Sequence, residues 1–380
     1  MASLLGNVSV PEITSAPVMM TDWSFNLTTG PVSGRSLAPL CTVCSCGFVN
    51  RTLAVVFMIS LAFAIVVGNV ITLTVMVQTR QSRSPQGYLK VSLAMADMMV
   101  GVLVVPFSVY TEIFLMVMST PPLWYQGSSI SGTDNPWQPC MLIGPVFAGC
   151  TFVSISTIFL MTLERSIAIL WPLHKDTVVT HKRTLFFVLI SWVVSFLLAL
   201  APLIFSSNFI LEYNECSRMC NYTPLLHGKQ LRSDAYILLL FPAFDFTLLG
   251  ATFAVNVLSF TTIRRYSRKR KLLSEGSLNE GGGGGGKGCQ QRPSFSDIKA
   301  AKTIGILTFA FTASFSPIAV FVLGNVVGYT WCNFSFFAFW MLTGNSCCNV
   351  IIYSVRDQRF RKGVMLLLHR EQSHPNSEKP

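Results

Sequence analysis

Charged residues are scarce in this sequence. Asp, Glu, Lys and Arg make up 12% of its 380 residues, whereas a soluble domain usually carries about 25%. The five histidines all fall in predicted loops or tails, and the sequence shows no catalytic Ser/His/Asp set and no metal-ligand cluster. Residues 1–10 also lack the basic region and long apolar run of a cleaved signal peptide. These absences argue against a soluble domain, a hydrolase and a metalloenzyme, and they leave the first membrane span as the expected targeting signal.

Seven long apolar runs account for the low charge. They cover residues 53–77, 91–117, 142–170, 185–205, 236–260, 303–327 and 334–353. Each run can cross a bilayer as a helix, which takes about 20 residues. Because lipid offers no hydrogen-bond partner to the backbone, helices are the expected form. The sequence therefore predicts an all-α membrane protein with a seven-transmembrane helix bundle.

Basic residues are distributed unevenly between the two sides that these spans define. The net charge is +11, which in a soluble protein could indicate nucleic-acid binding. All but five of the 28 basic residues lie on one side or at its helix ends, and the exceptions are Arg35, Arg51, Arg218, Lys229 and Arg232. The excess of Lys and Arg on cytoplasmic loops places the N-terminus outside the cell and the C-terminus in the cytoplasm. We therefore expect a multi-pass plasma-membrane protein and no nucleic-acid partner.

Glycosylation sequons agree with this orientation. The motif Asn-X-Ser/Thr occurs on the predicted outer side at Asn7, Asn26, Asn50, Asn221 and Asn333. Since glycans are attached on the lumenal side, residues 1–52 are expected to form an extracellular glycosylated tail, ahead of a membrane domain over 53–355 and a C-terminal part over 356–380. The third inner loop, 264–298, contains a glycine run at 281–286 that is typical of a flexible linker.

Ionisable residues inside the spans are costly to bury, so each is a functional candidate. Asp97 lies near the middle of the second span, and Asp245 follows Pro242 in the fifth. Polar residues of other spans that could face Asp97 are Asn69, Ser154, Asn345, Ser346 and Asn349. This group could be a polar patch that holds helices together, or a hydrated sodium site, because oxygen ligands suit a hard cation. The residues alone leave both interpretations open.

The pair Glu164–Arg165 stands at the inner end of the third span. An interfacial arginine can simply extend its charge toward water. Alternatively, the pair is a switch that breaks when the inner face of the bundle opens. Asp297, just before the sixth span, could then offer Arg165 a competing partner.

An ordered set of short motifs extends over roughly residues 50–370. The motifs are Gly68-Asn69-Val70, Leu93-Ala94-Met95-Ala96-Asp97, Cys140, Glu164-Arg165-Ser166, Trp171-Pro172-Leu173, Trp192, Pro202, Pro242, Phe311, Pro317, Asn349-Val350-Ile351-Ile352-Tyr353 and Phe360-Arg361. Each is weak alone, but in this order they resemble the rhodopsin-like (class A) G-protein-coupled receptors. The resemblance implies a short, amphipathic, cytoplasmic eighth helix at the start of the segment 356–380.

The resemblance also implies roles for individual residues. Arg165 would enter the G-protein interface on activation, with Glu164 and Asp297 holding it at rest, and Asn349 and Tyr353 would belong to the switch motif of the seventh span. The sodium pocket would consist of Asp97, Ser154, Asn345, Ser346 and Asn349, and no other cofactor is implied. A disulfide would join Cys140 to Cys216 or Cys220, and the spacing does not choose between them.

Several positions depart from the family pattern. Ser166 replaces the usual Tyr, Phe315 the toggle Trp, Gly250 the fifth-helix Tyr, and Val350 the Pro of the seventh-span motif. Phe147 stands at the position of the amine-binding Asp, which argues against a monoamine held there. The ligand cavity would be lined by Phe147, Thr151, Phe315, Ile318, Phe339 and Thr343, with Glu112 and Asp234 at the outer rim able to contact a cationic group. The pattern favours an orphan-like member with a lipophilic stimulus.

The sequence therefore predicts a receptor and not an enzyme. We expect this receptor to transduce an extracellular or lipophilic stimulus, or its own basal activity, to a heterotrimeric G protein. Arrestin, receptor kinases, membrane lipids and a ligand that the sequence does not name are the further partners expected. The alternative is a seven-helix transporter or channel. Transporters often consist of internal repeats, and the two halves of this chain show none.

Overall fold

The computed structural model describes residues 48–79, 84–118, 138–171, 173–205, 209–224, 235–276, 295–327, 329 and 331–372. These residues all belong to one folding unit, Cys44–Pro380. Predictions that fall on the rest of the chain lie outside the described residues. They concern the tail up to residue 47 with Asn7 and Asn26, the residue Asp234, the glycine run 281–286 and the C-terminal end beyond residue 372.

Seven helices in the described ranges are long and apolar enough to cross a membrane, which confirms the predicted fold. We call them the first to seventh spans. The first span is α1 (Phe48–Gln78). The second consists of α2 (Pro85–Met99), a π-helical turn (Val100–Val104) and α3 (Val105–Val117), which are continuous. The third is α4 (Cys140–Leu170), the fourth α6 (His181–Phe205), and the fifth α7 (Leu240–Gly276), which follows a 3₁₀ turn (Ala235–Leu239). The sixth is α8 (Phe295–Val327) and the seventh α9 (Cys332–Arg356). The short helix α5 (Lys175–Val178) lies between the third and fourth spans, and α10 (Gln358–Gln372) is the short C-terminal helix that the sequence predicts.

Most spans are longer than the apolar runs that predict them. The fourth span begins at His181, and Lys182 and Arg183 fall in its first turn. A charged residue marks where a helix leaves the lipid but does not end the helix, so the apolar run gives only the embedded part. The second span begins earlier than its run for a local reason: the side chain of Ser84 accepts a hydrogen bond from the amide of Gly87 at 3.0 Å, and Pro85 follows this N-cap.

The third span is the axis of the bundle. Of its most apolar stretch, 72% is buried, against 22–44% for the other six spans. Trp192 of the fourth span donates a hydrogen bond to Ser92 of the second at 2.9 Å, and the ring of Phe196 packs against Gly149 of the third. Large side chains on the outside of the bundle, such as Phe253 and Phe309, are exposed. In a bilayer these faces would contact lipid.

A β-hairpin covers one end of the bundle. Its strands are β1 (Phe209–Asn214) and β2 (Met219–Pro224), which pair antiparallel with Tyr213 opposite Cys220. We call this end the outer end, and the end that carries α10 the inner end. Leu211 of β1 is buried against Gly144 of the third span, where a side chain larger than hydrogen would clash with it. The hairpin was not predicted from the sequence, and it closes the outer end.

Candidate functional site

Asp97 lies at the centre of a buried polar group in the middle of the bundle. Its carboxylate accepts a hydrogen bond from the amide nitrogen of Asn349 at 2.7 Å, and the side chains of Ser154 and Ser346 lie near it. Asn69 does not contact Asp97 through a hydrogen bond, because its amide nitrogen donates to the carbonyl groups of Ile65 and Ser346. The structure therefore brings together the second, third and seventh spans around one carboxylate.

A small cavity adjoins this carboxylate. Among its lining residues are Asp97, Ser154, Asn345 and Ser346, and it has room for about one water molecule or small ion. One carboxylate with neutral oxygen donors suits a monovalent hard cation. The residues present therefore fit a sodium ion, and they fit the polar patch between helices equally well. Asn349, the fifth predicted ligand, bonds to the carboxylate but does not line the cavity.

The predicted ligand cavity is divided in the structure. Phe147, Thr151 and Thr343 line the small cavity beside Asp97, whereas Phe315, Ile318 and Phe339 do not. The rings of Phe147 and Phe339 stack with their centroids 6.1 Å apart, and that of Phe315 stacks on Phe311 at 6.2 Å. Aromatic side chains thus fill the space where these residues meet. This arrangement is a closed core, and the binding of a ligand by these residues stays a prediction.

The inner end holds the predicted switch pair. Arg165 Nε lies 3.1 Å from Glu164 Oε2, and both side chains are largely buried. One residue further on, the hydroxyl of Ser166 hydrogen-bonds that of Ser259 at 2.7 Å and so joins the third span to the fifth. Asp297 lies in the first turn of α8, and its side chain is outside the described part of the chain. The structure therefore places Arg165 against Glu164 at the inner end of the third span.

A second ion pair at the inner end was missed from the sequence. Lys90 Nζ lies 2.7 Å from Asp357 Oδ2 and 5.0 Å from the centre of the Tyr353 ring. The other oxygen of Asp357 accepts from the amide of Phe360, at the start of α10. One signal could have found Lys90: it stands seven residues before Asp97, about two helical turns, and so lies on the same buried face of the second span.

The outer end carries a buried cluster of charges around Glu112. This residue is 1% exposed. Its Oε2 atom faces Arg51 Nη1 at 3.4 Å and Arg218 Nη1 at 3.9 Å, while its Oε1 atom accepts from the hydroxyl of Tyr213 at 2.8 Å. Burial and the Glu112 carboxylate raise the pKa of Tyr213 well above its usual value, so this hydroxyl stays protonated as a donor. Glu215 binds the other nitrogen of Arg51 at 3.0 Å.

Two disulfides fix the hairpin to the bundle. Cys220 pairs with Cys140 at the start of the third span. Of the two partners that were left open for Cys140, the structure therefore selects Cys220 and not Cys216. Cys216 pairs instead with Cys332 at the start of the seventh span, a bond that the sequence analysis did not propose. Cysteine spacing could not find it, because the two residues are 116 positions apart and only the fold brings them together.

The comparison with known families agrees with this architecture. Residues 68–353 match the family described as 7 transmembrane receptor (rhodopsin family). The chain belongs to this family. Membership makes it a multi-pass membrane protein of the receptor class and implies coupling to G proteins.

Similar curated proteins are receptors as well. Trace amine-associated receptor 13c of Danio rerio is 27% identical over 335 residues, which cover 86% of this chain and 89% of that receptor. Trace amine-associated receptor 8a of Rattus norvegicus is 26% identical over 312 residues, or 80% and 83% of the two chains. Neuropeptide receptor 22 of Caenorhabditis elegans is 29% identical over 159 residues, covering 42% of this chain and 33% of its own.

Two departures from the pattern of the rhodopsin family have visible structural consequences. Val350, which replaces the proline of the seventh-span motif, packs against Gly68 of the first span, and α9 is a continuous helix across it. At Gly250, where the family has a tyrosine, a Cβ atom would meet nothing within 4 Å. Gly250 is exposed on the surface of the fifth span, so the space beside it is open to the surroundings of the bundle.

The sequons in the described ranges differ in their surroundings. Asn50 and Asn333 are exposed at the outer end. Asn221 is partly buried in β2, and its amide nitrogen, which a glycan would have to occupy, donates to the hydroxyl of Ser217 at 3.0 Å. Glycosylation stays a prediction at all these positions.

Proposed function

We propose that this receptor transduces an outer stimulus to heterotrimeric G proteins by opening its inner end around Arg165. The observation that carries the proposal is the buried pair Glu164–Arg165 at 3.1 Å, at the end of the most buried helix of the bundle. A stimulus shifts the equilibrium between the closed and open forms only to the extent that it binds the open form more tightly. Release of Arg165 would then expose a guanidinium group to the G protein.

The chemistry of the two ends supports the proposed orientation of the receptor. Both disulfides of the described chain lie at the outer end, and disulfides persist in oxidising surroundings. The inner end carries the basic run 264–271, in which Arg264, Arg265 and Arg268 are exposed. Such a run attracts anionic lipids of the inner leaflet, by about 1 kcal/mol per residue. These features support a plasma-membrane receptor with its N-terminus outside.

The polar group at Asp97 is proposed to hold an allosteric sodium ion. Asp97, Ser154, Asn345 and Ser346 surround a cavity of suitable size, and Asn349 bonds to the same carboxylate. When bound, the ion would neutralise the buried carboxylate. The residues themselves join the second, third and seventh spans, so the ion and the polar contacts would favour the same closed packing.

The stimulus is proposed not to be a monoamine held by a carboxylate of the third span. Phe147 occupies that position and stacks on Phe339, so no charge is available there. The names of the similar trace amine-associated receptors indicate amines, but this chain lacks the usual anchor for one. Any cationic group must be held elsewhere. Arrestin and receptor kinases remain proposed partners on the inner side.

Nucleotide exchange separates this proposal from a transporter or channel. Membranes that contain the receptor are mixed with purified G proteins, and GTPγS binding is compared with the flux of ions and solutes in sealed vesicles. We expect exchange above that of membranes without the receptor, and no flux. Flux without exchange in any G-protein class would contradict the proposal.

A further inference from the structure

Arg218 lies at the tip of the outer hairpin and points into the protein. It is the last residue of the turn between β1 and β2, its φ angle is 56°, and only 9% of its surface is exposed. A positive φ is unusual for a residue with a side chain. Its neighbours at two positions before and after, Cys216 and Cys220, are tied to the seventh and third spans. The two disulfides therefore hold the turn that carries this guanidinium over the bundle.

The hairpin backbone is fixed at the same point by a third contact. The indole nitrogen of Trp340, in the seventh span, donates to the carbonyl of Ser217 at 2.9 Å. Trp340 is itself buried and contacts the ring of Phe336. Because the backbone is held on both sides of Arg218, its side chain can move without the hairpin leaving the bundle.

The surroundings of Arg218 have the chemistry of an organic-cation site. Glu112 supplies a buried carboxylate 3.9 Å away, and the guanidinium carbon lies 5.4 Å from the centre of the Phe336 ring. The hydroxyl of Tyr213 donates to Glu112, and the ring of Tyr213 contacts that of Phe107. A carboxylate together with aromatic faces is the arrangement that binds ammonium and guanidinium groups.

Arg218 fits this site incompletely. Its buried Nη1 atom has no hydrogen-bond partner among the described residues, and its distance of 3.9 Å from Glu112 is too long for a hydrogen bond. A free ligand is not restrained by a hairpin, and it could approach the carboxylate to about 2.8 Å. The side chain of Arg218 is therefore a weak occupant that a better-placed cation can replace.

We propose that Glu112, Phe336 and Tyr213 form a binding site for a small organic cation, and that Arg218 of the chain's own hairpin occupies this site in the closed receptor. The inference deepens the proposed function, since it names the class of stimulus and rests on the chain being a receptor. It also supplies the anchor that Phe147 does not provide. The charges in the cluster support it: Arg51 and Arg218 balance Glu112 and Glu215.

Removing the charge of Arg218 should open the site. Without the charge of Arg218, the cluster has one excess negative charge. The variant also lacks the tethered guanidinium group that competes with a free cation at an effective concentration of about millimolar or higher. The probe is 2-phenylethylamine, a cation at pH 7, and the matched neutral probe is 2-phenylethanol. The full-length receptor is purified as wild type and as Arg218→Ala, Arg218→Gln and Arg218→Lys, and its thermal midpoint is measured with each probe.

We expect the amine to raise the midpoint of Arg218→Ala and Arg218→Gln by about 2–4 °C at tenfold its dissociation constant, while the alcohol has no effect. Wild type and Arg218→Lys, which keep the positive charge, should not respond at the same concentration. Adding Glu112→Gln to Arg218→Ala should abolish the response. Arg218→Gln keeps a polar side chain of intermediate length at position 218, so the test does not depend on the protein tolerating alanine there.

An equal response to the amine and the alcohol, or no gain over wild type in either neutral variant, would overturn the inference. This binding assay needs no G protein. Amine binding without nucleotide exchange would therefore contradict the proposed function alone, and exchange without amine binding would contradict only the cation site.

Discussion

Lys90 and Asp357 form an ion pair of 2.7 Å between the second span and the start of the C-terminal helix. The pair is largely buried, and the ammonium group also faces the ring of Tyr353 at 5.0 Å. It therefore joins the second span, the end of the seventh span and α10 at one point. The resemblance assigns Tyr353 to the switch motif of the seventh span, so we expect the pair to hold that motif in the closed arrangement.

Lys90→Met should raise basal nucleotide exchange. The substitution keeps most of the length of the side chain but removes a charged hydrogen bond, for which about 1.5–3 kcal/mol is typical. If the open form lacks this bond, a loss of about 1.4 kcal/mol already shifts the closed–open balance tenfold. Basal GTPγS exchange in membranes is the measurement. Lys362→Met, at an exposed lysine of α10, is the control, and equal exchange in the two variants would show that the pair does not restrain the receptor.

Tyr353→Phe should stabilise the closed receptor. The buried hydroxyl of Tyr353 has no hydrogen-bond partner within the described ranges, and an unsatisfied buried hydroxyl costs about 1–3 kcal/mol. Phenylalanine keeps the ring contacts with Lys90 and Phe360. The thermal midpoint should therefore rise. Tyr213→Phe is the matched control and should lower the thermal midpoint, because the hydroxyl of Tyr213 donates to Glu112. A lower midpoint for Tyr353→Phe would mean that the hydroxyl of Tyr353 has a hydrogen-bond partner.

Gly250→Tyr should increase coupling. The resemblance assigns this position a tyrosine that supports the active state, and at the exposed Gly250 an added Cβ atom would meet nothing within 4 Å. Replacing a glycine inside a helix also favours the helix by up to about 1 kcal/mol. Gly250→Ala measures the effect of helix propensity alone. Gly250→Phe adds the aromatic ring without the hydroxyl group. Nucleotide exchange should rise in the order Ala, Phe, Tyr, and equal exchange in all three would remove the activation argument.

Asp97→Asn should remove any sodium dependence of the thermal midpoint. The amide keeps much of the polar contact with Asn349 but lacks the charge that would hold the ion. Wild type is expected to be more stable in sodium chloride than in choline chloride at the same ionic strength. Asp245→Asn is the control, since Asp245 is equally buried but does not line the cavity. If sodium acts equally on wild type and Asp97→Asn, only the role of Asp97 in joining helices remains.

The sequence predicts the seven spans because burial in lipid requires long apolar runs, and such runs are visible in one dimension. It also names Ser154, Asn345, Ser346 and Asn349, which lie near Asp97 in the structure, whereas the amide of Asn69 bonds to backbone carbonyl groups instead. It does not give the exact ends of the spans. Residues such as Arg51 and Lys182 extend the helices beyond the apolar runs, because helical hydrogen bonding continues into the polar layer.

The partners of the charged residues could not be read from the sequence. Lys90 and Asp357 are 267 positions apart, and the cluster at Glu112 depends on a hairpin that was not predicted from the sequence. A partial signal was present, because a carboxylate buried at the outer end needs a cation and only five basic residues lie on that side. That rule restricts the partners of Glu112 to a short set that includes Arg51 and Arg218, but the geometry chooses between them.

The role of Arg165 is the central claim, and one comparison tests it most directly. Wild type, Arg165→Ala and Lys182→Ala, a change at an exposed basic residue of the fourth span, are reconstituted with each class of purified G protein, and GTPγS exchange is measured at equal amounts of folded receptor. We predict exchange with at least one class for wild type and Lys182→Ala, and none for Arg165→Ala. Exchange by Arg165→Ala at the wild-type rate would contradict the account.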